Sequence, residues 1–297
     1  MPPEQLSVRL AFLGCGHIGK ALLGAILPSI SRPGSQVSKI TVAVNRAESQ
    51  TLLQRQFHDN IGAVVHFVHG QNVEAVQEAD AVLLAFPPEE TTAILSSSGM
   101  KEAVQGKIII SMLARVPRAE ISRLLQEEIH TGSGGGSTEN VQIVRAMPSI
   151  GTAAHESATF IASIGPAQDK AMELTRWIFS AVGKVFYVSD EHFDTITGMC
   201  AFSNALIATS IQAIAQRTSA EGVPMEQALA VSAQCMRGSL ALILSGTRPE
   251  QLQASLSAPG SITGQAIQAL QDDRLAAFQD LVLRAAISRA REDATGR

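Results

Sequence analysis

The sequence predicts an α/β fold, with a doubly wound parallel sheet in the N-terminal part and an all-helical region after it. Short apolar or β-branched runs alternate with helical patterns from Val8 to Ala146, as in parallel sheets covered on both faces. No β-rich run follows residue 189, where long apolar helical patterns begin. We therefore expect two domains, residues 1–188 and residues 189–297.

Six runs are predicted to be strands: Val8–Leu13, Ile40–Val44, Val64–Val68, Ala81–Phe86, Ile108–Met112 and Gln142–Ala146. Helical patterns lie between them, at 19–27, 48–57, 72–78, 89–95 and 117–129. In the C-terminal part we expect helices over 193–217, from Pro224 to Leu244, after Pro249, and up to Glu292. Glycine, serine and proline mark Ser31–Ser38 and Thr131–Thr138 as exposed loops.

Composition excludes several classes of protein. The net charge of -4 gives no electrostatic support for binding nucleic acid or anionic membranes. No apolar run approaches the roughly 18 residues of a membrane span, and the N-terminus is unlike a signal peptide. The three cysteines are far apart, and no spacing of histidines and cysteines indicates a metal site. These features favour a cytoplasmic protein with reduced thiols.

A glycine-rich turn follows the first predicted strand. Gly14, Gly16 and Gly19 fit the pattern G-x-G-x-x-G, between a strand and a helix. In this context the first glycine permits the tight turn, the second lets the backbone approach a pyrophosphate, and the third packs the helix on the strand. The pattern predicts a Rossmann-like dinucleotide site, with His17 and Ile18 at the helix N-terminus. The alternative is a glycine-rich turn that binds no nucleotide.

The end of the second strand selects between the two nicotinamide coenzymes. An enzyme for NAD usually places Asp or Glu there to bind the ribose 2′-hydroxyl. Here Asn45 and Arg46 offer a neutral donor and a cation, which suit a 2′-phosphate and favour NADPH. In the alternative reading, Arg46 is a solvated cation and Glu48 binds the ribose.

The tips of the fourth and fifth strands are expected at the nicotinamide end of the site, because ligands bind at the carboxyl ends of parallel strands. Phe86 and Pro87 end the fourth strand, and Ala114 follows the fifth. Phe86 is equally well interpreted as a core residue.

The order of motifs resembles the pyrroline-5-carboxylate reductase family over nearly the whole chain. The family's Asn-Arg is matched by Asn45-Arg46, and its Arg-Ala-Met-Pro-Asn-Thr-Pro by Arg145–Gly151. In the C-terminal part, Asp194–Thr197, Gly222–Pro224 and Ala258–Thr263 match its Asp-x-Val-Thr, Gly-Leu-Pro and substrate-loop segments. The resemblance implies hydride transfer from NADPH to a cyclic imino acid, Met147 beside the coenzyme, and an intertwined homodimer or higher homo-oligomer.

The substrate loop supplies the candidates for binding and catalysis. By the resemblance the substrate contacts are Pro259, Gly260, Ser261, Ile262 and Thr263. The Thr263 hydroxyl is the best candidate at the imine nitrogen, and N–H groups at the start of the next helix suit a carboxylate. Ser261 or Thr263 is alternatively a helix cap. Ser203 and Asn204 are the next catalytic candidates, with a polar helix–helix contact as the alternative.

Departures from the family's pattern leave the reaction open. Its Ser-Gly-Ser-Gly-Pro-Ala signature reads Cys200–Ala205 here, with bulkier residues for two glycines and a proline, and Ser149 replaces an asparagine. A substituted pyrroline carboxylate is therefore a possible substrate, and a non-catalytic NADPH-binding paralogue with a regulatory or scaffold role is a second hypothesis. A third is an opine-type or 3-hydroxyacid dehydrogenase, against which stands the lack of Lys and His after His192.

Overall fold

The structure, a computed structural model, describes residues 8–30, 32–60, 64–126, 141–163, 169–258, 260–271 and 273–292. The predicted loop Thr131–Thr138, Ser31 of the other predicted loop, and Pro259 lie outside the described residues. The chain forms two compact units, residues 1–197 with 290–297, and residues 198–289.

The first unit contains a sheet to which eight described strands contribute, in the order β3-β2-β1-β4-β5-β6-β7-β8. The strands are β1 (Val8–Leu13), β2 (Val37–Val44), β3 (Val65–His69), β4 (Ala81–Leu84), β5 (Ile108–Ser111), β6 (Gln142–Met147), β7 (Ser157–Ser163) and β8 (Gly183–Ser189). β1 to β6 are parallel, β7 runs antiparallel to β6, and β8 is parallel to β7. The predicted doubly wound parallel sheet is confirmed.

Helices cover both faces of this sheet: α1 (His17–Ile30), α2 (Ala47–Gln56), α3 (Asn72–Gln77), α4 (Thr91–Leu95), α5 (Met100–Ala103), α6 (Arg118–Gln126) and α7 (Asp169–Ser180). Alternate residues of β1 enter two separate cores. Leu10 and Phe12 pack with α1 and α7, whereas Ala11 and Leu13 pack with α3, α5 and α6. This alternation follows from the two-residue period of a strand.

Two strands, β7 and β8, and two helices, α5 and α7, were not predicted from the sequence. β7 mixes Ser, Thr and Ala with Phe160 and Ile161, so its apolar pattern is weak. β8 lies at the edge of the sheet, where Phe186 and Tyr187 are both about half exposed. An edge strand needs no clean alternation of apolar and polar residues, because little of its surface is buried. α7 between them was missed with them.

The second unit is helical, as predicted. α8 (Phe193–Ala220) starts in the first unit, and α9 (Met225–Leu244), α10 (Pro249–Leu256), α11 (Ile262–Leu270) and α12 (Asp273–Arg291) follow. α8 and α12 cross closely, since a Cβ on Gly198 would lie 2.6 Å from Ile287 Cα. Many large apolar side chains of this unit are exposed in the single chain, among them Leu206, Ile214, Leu240, Leu244 and Phe278. A surface of that extent is typical of an interface.

Length and apolar composition alone would allow the helical segment Asp190–Ala220 and α9 to cross a membrane. Core helices of soluble proteins meet the same criterion, so this is weak evidence for a membrane span.

Arg145 anchors the start of α8 to the sheet. It lies on β6 with 3% of its side chain exposed, and its guanidinium donates to Asp194 at 2.7 Å and to Asp190 at 3.3 Å. The guanidinium carbon also lies 4.0 Å from the centre of the Phe193 ring. Asp190 and Asp194 therefore both pair with a buried cation.

We predict that Arg145→Ala lowers the free energy of unfolding by about 3 kcal/mol, near the lower end of the range for breaking a buried ion pair, because both aspartates keep some contact with water. Arg9→Ala is the control. It breaks the Arg9–Asp80 pair, whose side chains are 51% and 44% exposed, and should cost no more than about 1 kcal/mol. Urea unfolding measures both, and equal losses would contradict the anchoring role of Arg145.

Candidate functional site

The main crevice of the first unit lies at the carboxyl ends of the parallel strands, where the turns after β1, β2, β4, β5 and β6 meet. Its volume is about 490 Å³. Its described lining residues are Gly14, Cys15, Gly16, His17, Ile18, Gly19, Ala43, Val44, Asn45, Arg46, Ser49, Asn72, Ala85, Phe86, Pro87, Glu90, Ile94, Met112, Met147 and Pro148. Nearly all the predicted coenzyme residues are therefore brought together.

The three glycines of the turn after β1 have different structural roles. Gly14 has a φ of +83°, and a Cβ there would lie 2.7 Å from both the carbonyl oxygen of Ala85 and the amide nitrogen of Phe86. The turn after β1 therefore lies directly on the backbone that leaves β4. Apart from its chain neighbours, no atom of the described residues would lie within 4 Å of a Cβ on Gly16, so this Cβ would occupy the open space of the crevice. Gly19 is buried, and a Cβ there would lie 3.6 Å from Cys15 Sγ.

α1 begins at the crevice, with its first three residues His17, Ile18 and Gly19 among the lining. The first N–H groups of a helix have no partner within it and favour an anion. Burial raises the pKa of the neighbouring Cys15 thiol to about 12, an effect that Lys20 opposes only weakly. Cys15 therefore stays neutral near pH 7 and adds no negative charge where a phosphate would bind.

The end of the crevice beside β2 and β3 is neutral to cationic. Asn45 and Arg46 leave β2, Ser49 lies in the first turn of α2, and Asn72 begins α3. Glu48 is exposed and is not a lining residue, which argues against its binding the ribose. Among the described lining residues Glu90 is the one acid, and it follows β4. These residues fit a 2′-phosphate on the ribose.

The other half of the crevice is apolar, with Phe86, Pro87, Met112, Met147 and Pro148 along its wall. Phe86 meets both interpretations of its sequence position, because it lines the crevice and is only 6% exposed within the core.

Ala114 is not a lining residue, and Met112 contributes in its place. β5 ends at Ser111, so Met112 is the first residue past the edge of the sheet. Leu113 then turns into the core, where its amide donates to Ser111 Oγ. The chain has therefore left the crevice before Ala114.

The second unit contains the predicted substrate and catalytic residues. Ser261 caps α11, since its Oγ accepts from the amide of Gly264 at 3.0 Å. Gly260 has a φ of +73°, and Ile262 and Thr263 are exposed in the first turn of α11. The cap interpretation is thus correct for Ser261 and not for Thr263. Ser203 and Asn204 are exposed on α8.

Several lining residues were missed from the sequence, among them Ser49, Asn72, Glu90 and Ile94. Two carried a usable signal. Ser49 lies three residues after Arg46 in the first turn of a helix, and Asn72 opens the helix after the third strand. The others become neighbours only through the packing of β4 and β5.

The fold and this crevice define a dinucleotide-binding oxidoreductase with a site suited to NADP(H). Two sequence profiles match the chain, one described as "NADP oxidoreductase coenzyme F420-dependent" over residues 9–115 and one as "Pyrroline-5-carboxylate reductase dimerisation" over residues 190–293. The second profile covers the exposed apolar helices, so the chain forms a homo-oligomer through its helical region.

Curated relatives identify the family. The chain is 31% identical to a pyrroline-5-carboxylate reductase of Neurospora crassa, over 96% of this chain and 90% of that protein. It is 28% identical to one from Schizosaccharomyces pombe, over 95% of each chain. The protein belongs to the pyrroline-5-carboxylate reductase family. The crystal structure of a Plasmodium falciparum pyrroline carboxylate reductase with NADP bound shares the fold, with a TM-score of 0.76, 18% identity and coverage of 99% and 100%.

We predict that Gly16→Ala weakens NADPH binding by at least about tenfold, or 1.4 kcal/mol, while Tm stays unchanged. The new methyl group has space in the folded protein, but it fills space that the pyrophosphate needs. Gly14→Ala should lower Tm instead, because its methyl group meets the backbone of Ala85 and Phe86. Calorimetric titration and thermal melts measure the two effects, and unchanged affinity in Gly16→Ala would contradict the placement of the phosphates.

We predict that Arg46→Ala raises the KM for NADPH by about 10- to 100-fold, the range of a lost hydrogen bond to a charged group, with little change for NADH. The difference should shrink at high salt, because Arg46 is exposed and screened. Glu48→Ala is the matched control two residues away, and it should leave the preference between the coenzymes unchanged. Equal effects of Arg46→Ala on both coenzymes would remove the 2′-phosphate argument.

Proposed function

We propose that this protein reduces the C=N bond of 1-pyrroline-5-carboxylate, or of a substituted pyrroline carboxylate, with NADPH, giving proline or a proline analogue. The observation that carries the proposal is the crevice of the first unit, with its phosphate turn at Gly14–Gly19 and its cationic end at Arg46. Membership of a reductase family, with similarity over 96% of the chain, supports the same reaction.

Each part of the crevice has a role in this reaction. The N–H groups at the start of α1 hold the pyrophosphate, and Arg46, Asn45 and Ser49 hold the 2′-phosphate. Bound NADPH supplies the hydride. The apolar wall that includes Met112, Met147 and Pro148 packs on the nicotinamide side and excludes water there. Orientation of two bound reactants then provides much of the rate acceleration.

The proposal extends to the substrate side. The Thr263 hydroxyl contacts the imine nitrogen, and the start of α11 binds the substrate carboxylate. Ser203 and Asn204 are the next polar candidates, and the segment Cys200–Ala205 shapes the pocket for the ring substituent. We also propose that the homo-oligomer is a dimer or a multiple of one, that residues 189–297 form its substrate and dimerisation domain, and that the protein is cytoplasmic.

One observation favours a second candidate, a non-catalytic NADPH-binding paralogue. Ala201, Ser203 and Asn204 replace the two glycines and the proline of the family's signature, and side chains added there can block the ring site.

The decisive experiment follows NADPH oxidation at 340 nm (the nicotinamide absorbance) with 1-pyrroline-5-carboxylate and then with a panel of substituted cyclic imines. Turnover of any of them supports the proposal, and the preferred ring substituent identifies the substrate. Tight NADPH binding without turnover of any imine would favour the non-catalytic candidate. Absence of binding to both nicotinamide coenzymes would refute both.

We predict that Thr263→Ala lowers kcat by at least about tenfold, as expected when a hydrogen bond at the reacting atom is lost, with unchanged NADPH affinity and Tm. Thr263 is exposed and caps no helix, so its removal should not affect folding. Ser261→Ala is the matched control. It removes the cap of α11 and should lower stability by about 1 kcal/mol. An unaffected kcat in Thr263→Ala would exclude this threonine from the reaction.

A further inference from the structure

Ser149 lies just behind the apolar wall of the crevice. It follows Met147, the last residue of β6, and Pro148, and both of these line the crevice while Ser149 does not. Ser149 is half-buried. Because Ser149 directly follows Met147 and Pro148 in the chain, its position affects theirs.

The amide, the carbonyl oxygen and the hydroxyl of Ser149 all form hydrogen bonds with neighbouring residues. Its Oγ accepts from the amide of Ala158 at 3.0 Å, and its amide donates to Ser157 Oγ at 3.1 Å. Its carbonyl oxygen accepts from Thr152 Oγ1 at 2.7 Å and from the Thr152 amide at 3.2 Å. Ser157 is buried and its Oγ lies 3.1 Å from Thr159 Oγ1, so the acceptor of the Ser149 amide is itself held.

These bonds continue a ladder that the backbone alone cannot continue. β6 and β7 pair antiparallel at Ala146–Ile161 and Met147–Phe160. The next residue is Pro148, which has no amide hydrogen to donate. Two further steps of the same register place Ser149 opposite Ala158, where the Ser149 hydroxyl accepts the bond that a backbone carbonyl would take in a regular ladder. The carbonyl of Ser149 is already used by the turn at Thr152.

The segment that follows Ser149 contacts the helix on the other side of the crevice. The 3-10 turn Ile150–Ala154 starts directly after Ser149 and packs against α1, the helix that follows the phosphate turn. A Cβ on Gly151 would lie 2.6 Å from the carbonyl oxygen of Glu156, so the turn is closed tightly. A shift at Ser149 would therefore move Met147 and Pro148 relative to the phosphate-binding helix.

We infer that the Ser149 hydroxyl is a positioning residue for the nicotinamide half of the coenzyme, acting through Met147 and Pro148. In a sheet of this order, β1 to β3 hold the adenosine half of a dinucleotide, and β4 to β6 hold the nicotinamide half. The hydroxyl sets the wall on the β6 side and leaves the adenosine side unaffected. The inference rests on the proposed function only for the class of coenzyme.

Two ligands separate the halves of the site in a binding experiment that needs no turnover. NADPH fills both halves, whereas adenosine 2′,5′-bisphosphate reaches only the adenosine side. Ser149→Ala should weaken NADPH binding by at least about fivefold, the factor that corresponds to the loss of one hydrogen bond of about 1 kcal/mol. The Kd of the bisphosphate should stay unchanged, and Ser149→Thr, which keeps the hydroxyl, should restore NADPH binding.

The matched control is Thr175→Ala. Thr175 is a fully buried hydroxyl on α7 that bonds only to the carbonyl of Ala171 in its own helix among the described contacts, and it does not line the crevice. Its removal should lower Tm and leave the Kd of both ligands unchanged. Any of three results would overturn the positioning role. Ser149→Ala could weaken the binding of both ligands equally, or Thr175→Ala could change the Kd of NADPH as much as Ser149→Ala does. The third such result is that Ser149→Thr fails to restore NADPH binding.

Turnover gives a second readout if the wild type reduces an imine. At saturating NADPH, Ser149→Ala should lower kcat by about tenfold, because small displacements of a reacting group reduce the rate strongly. Unchanged kcat together with unchanged NADPH affinity would overturn the inference. A wild type that binds NADPH but reduces no imine would instead refute the proposed function and leave the binding test of Ser149 intact.

Discussion

The contact between the turn after β1 and the backbone after β4 is the constraint on which the site depends. A side chain on Gly14 would meet Ala85 and Phe86 at 2.7 Å, so only glycine permits the approach. That approach places the start of α1 beside the end of β4 and leaves an open space at Gly16. The shape of the phosphate end of the crevice thus depends on one backbone–backbone contact.

The two units obtain their stability in different ways. The first unit has two buried cores, one on each face of its sheet. The second leaves many large apolar side chains exposed in the single chain, a surface typical of an interface. Within the first unit, Arg145 on the last parallel strand binds Asp190 and Asp194 beside the first residues of α8.

Serine and threonine hydroxyls form hydrogen bonds with backbone groups at the point where the sheet changes from parallel to antiparallel. β6 is the last parallel strand, and the chain must return through Pro148 and a 3-10 turn to the antiparallel β7. Ser149, Thr152 and Ser157 supply the hydrogen bonds that a regular ladder would have supplied. The apolar wall of the crevice is therefore held by polar groups behind it.

The parallel sheet, the helical region, the phosphate turn and the cationic end at Arg46 were predictable from the sequence. Strand periodicity, the spacing of the glycines and the charge after the second strand are local properties, and so each can be recognised in a short stretch of residues. The folded chain was needed to show that Ser49 and Asn72 line the crevice while Ala114 does not, and that Ser261 rather than Thr263 caps α11. It also revealed β7, β8 and the partners of Arg145. These features depend on where strands distant in sequence end and on which backbone hydrogen-bonding groups lack a backbone partner in the folded chain. Neither can be read from a short stretch of residues.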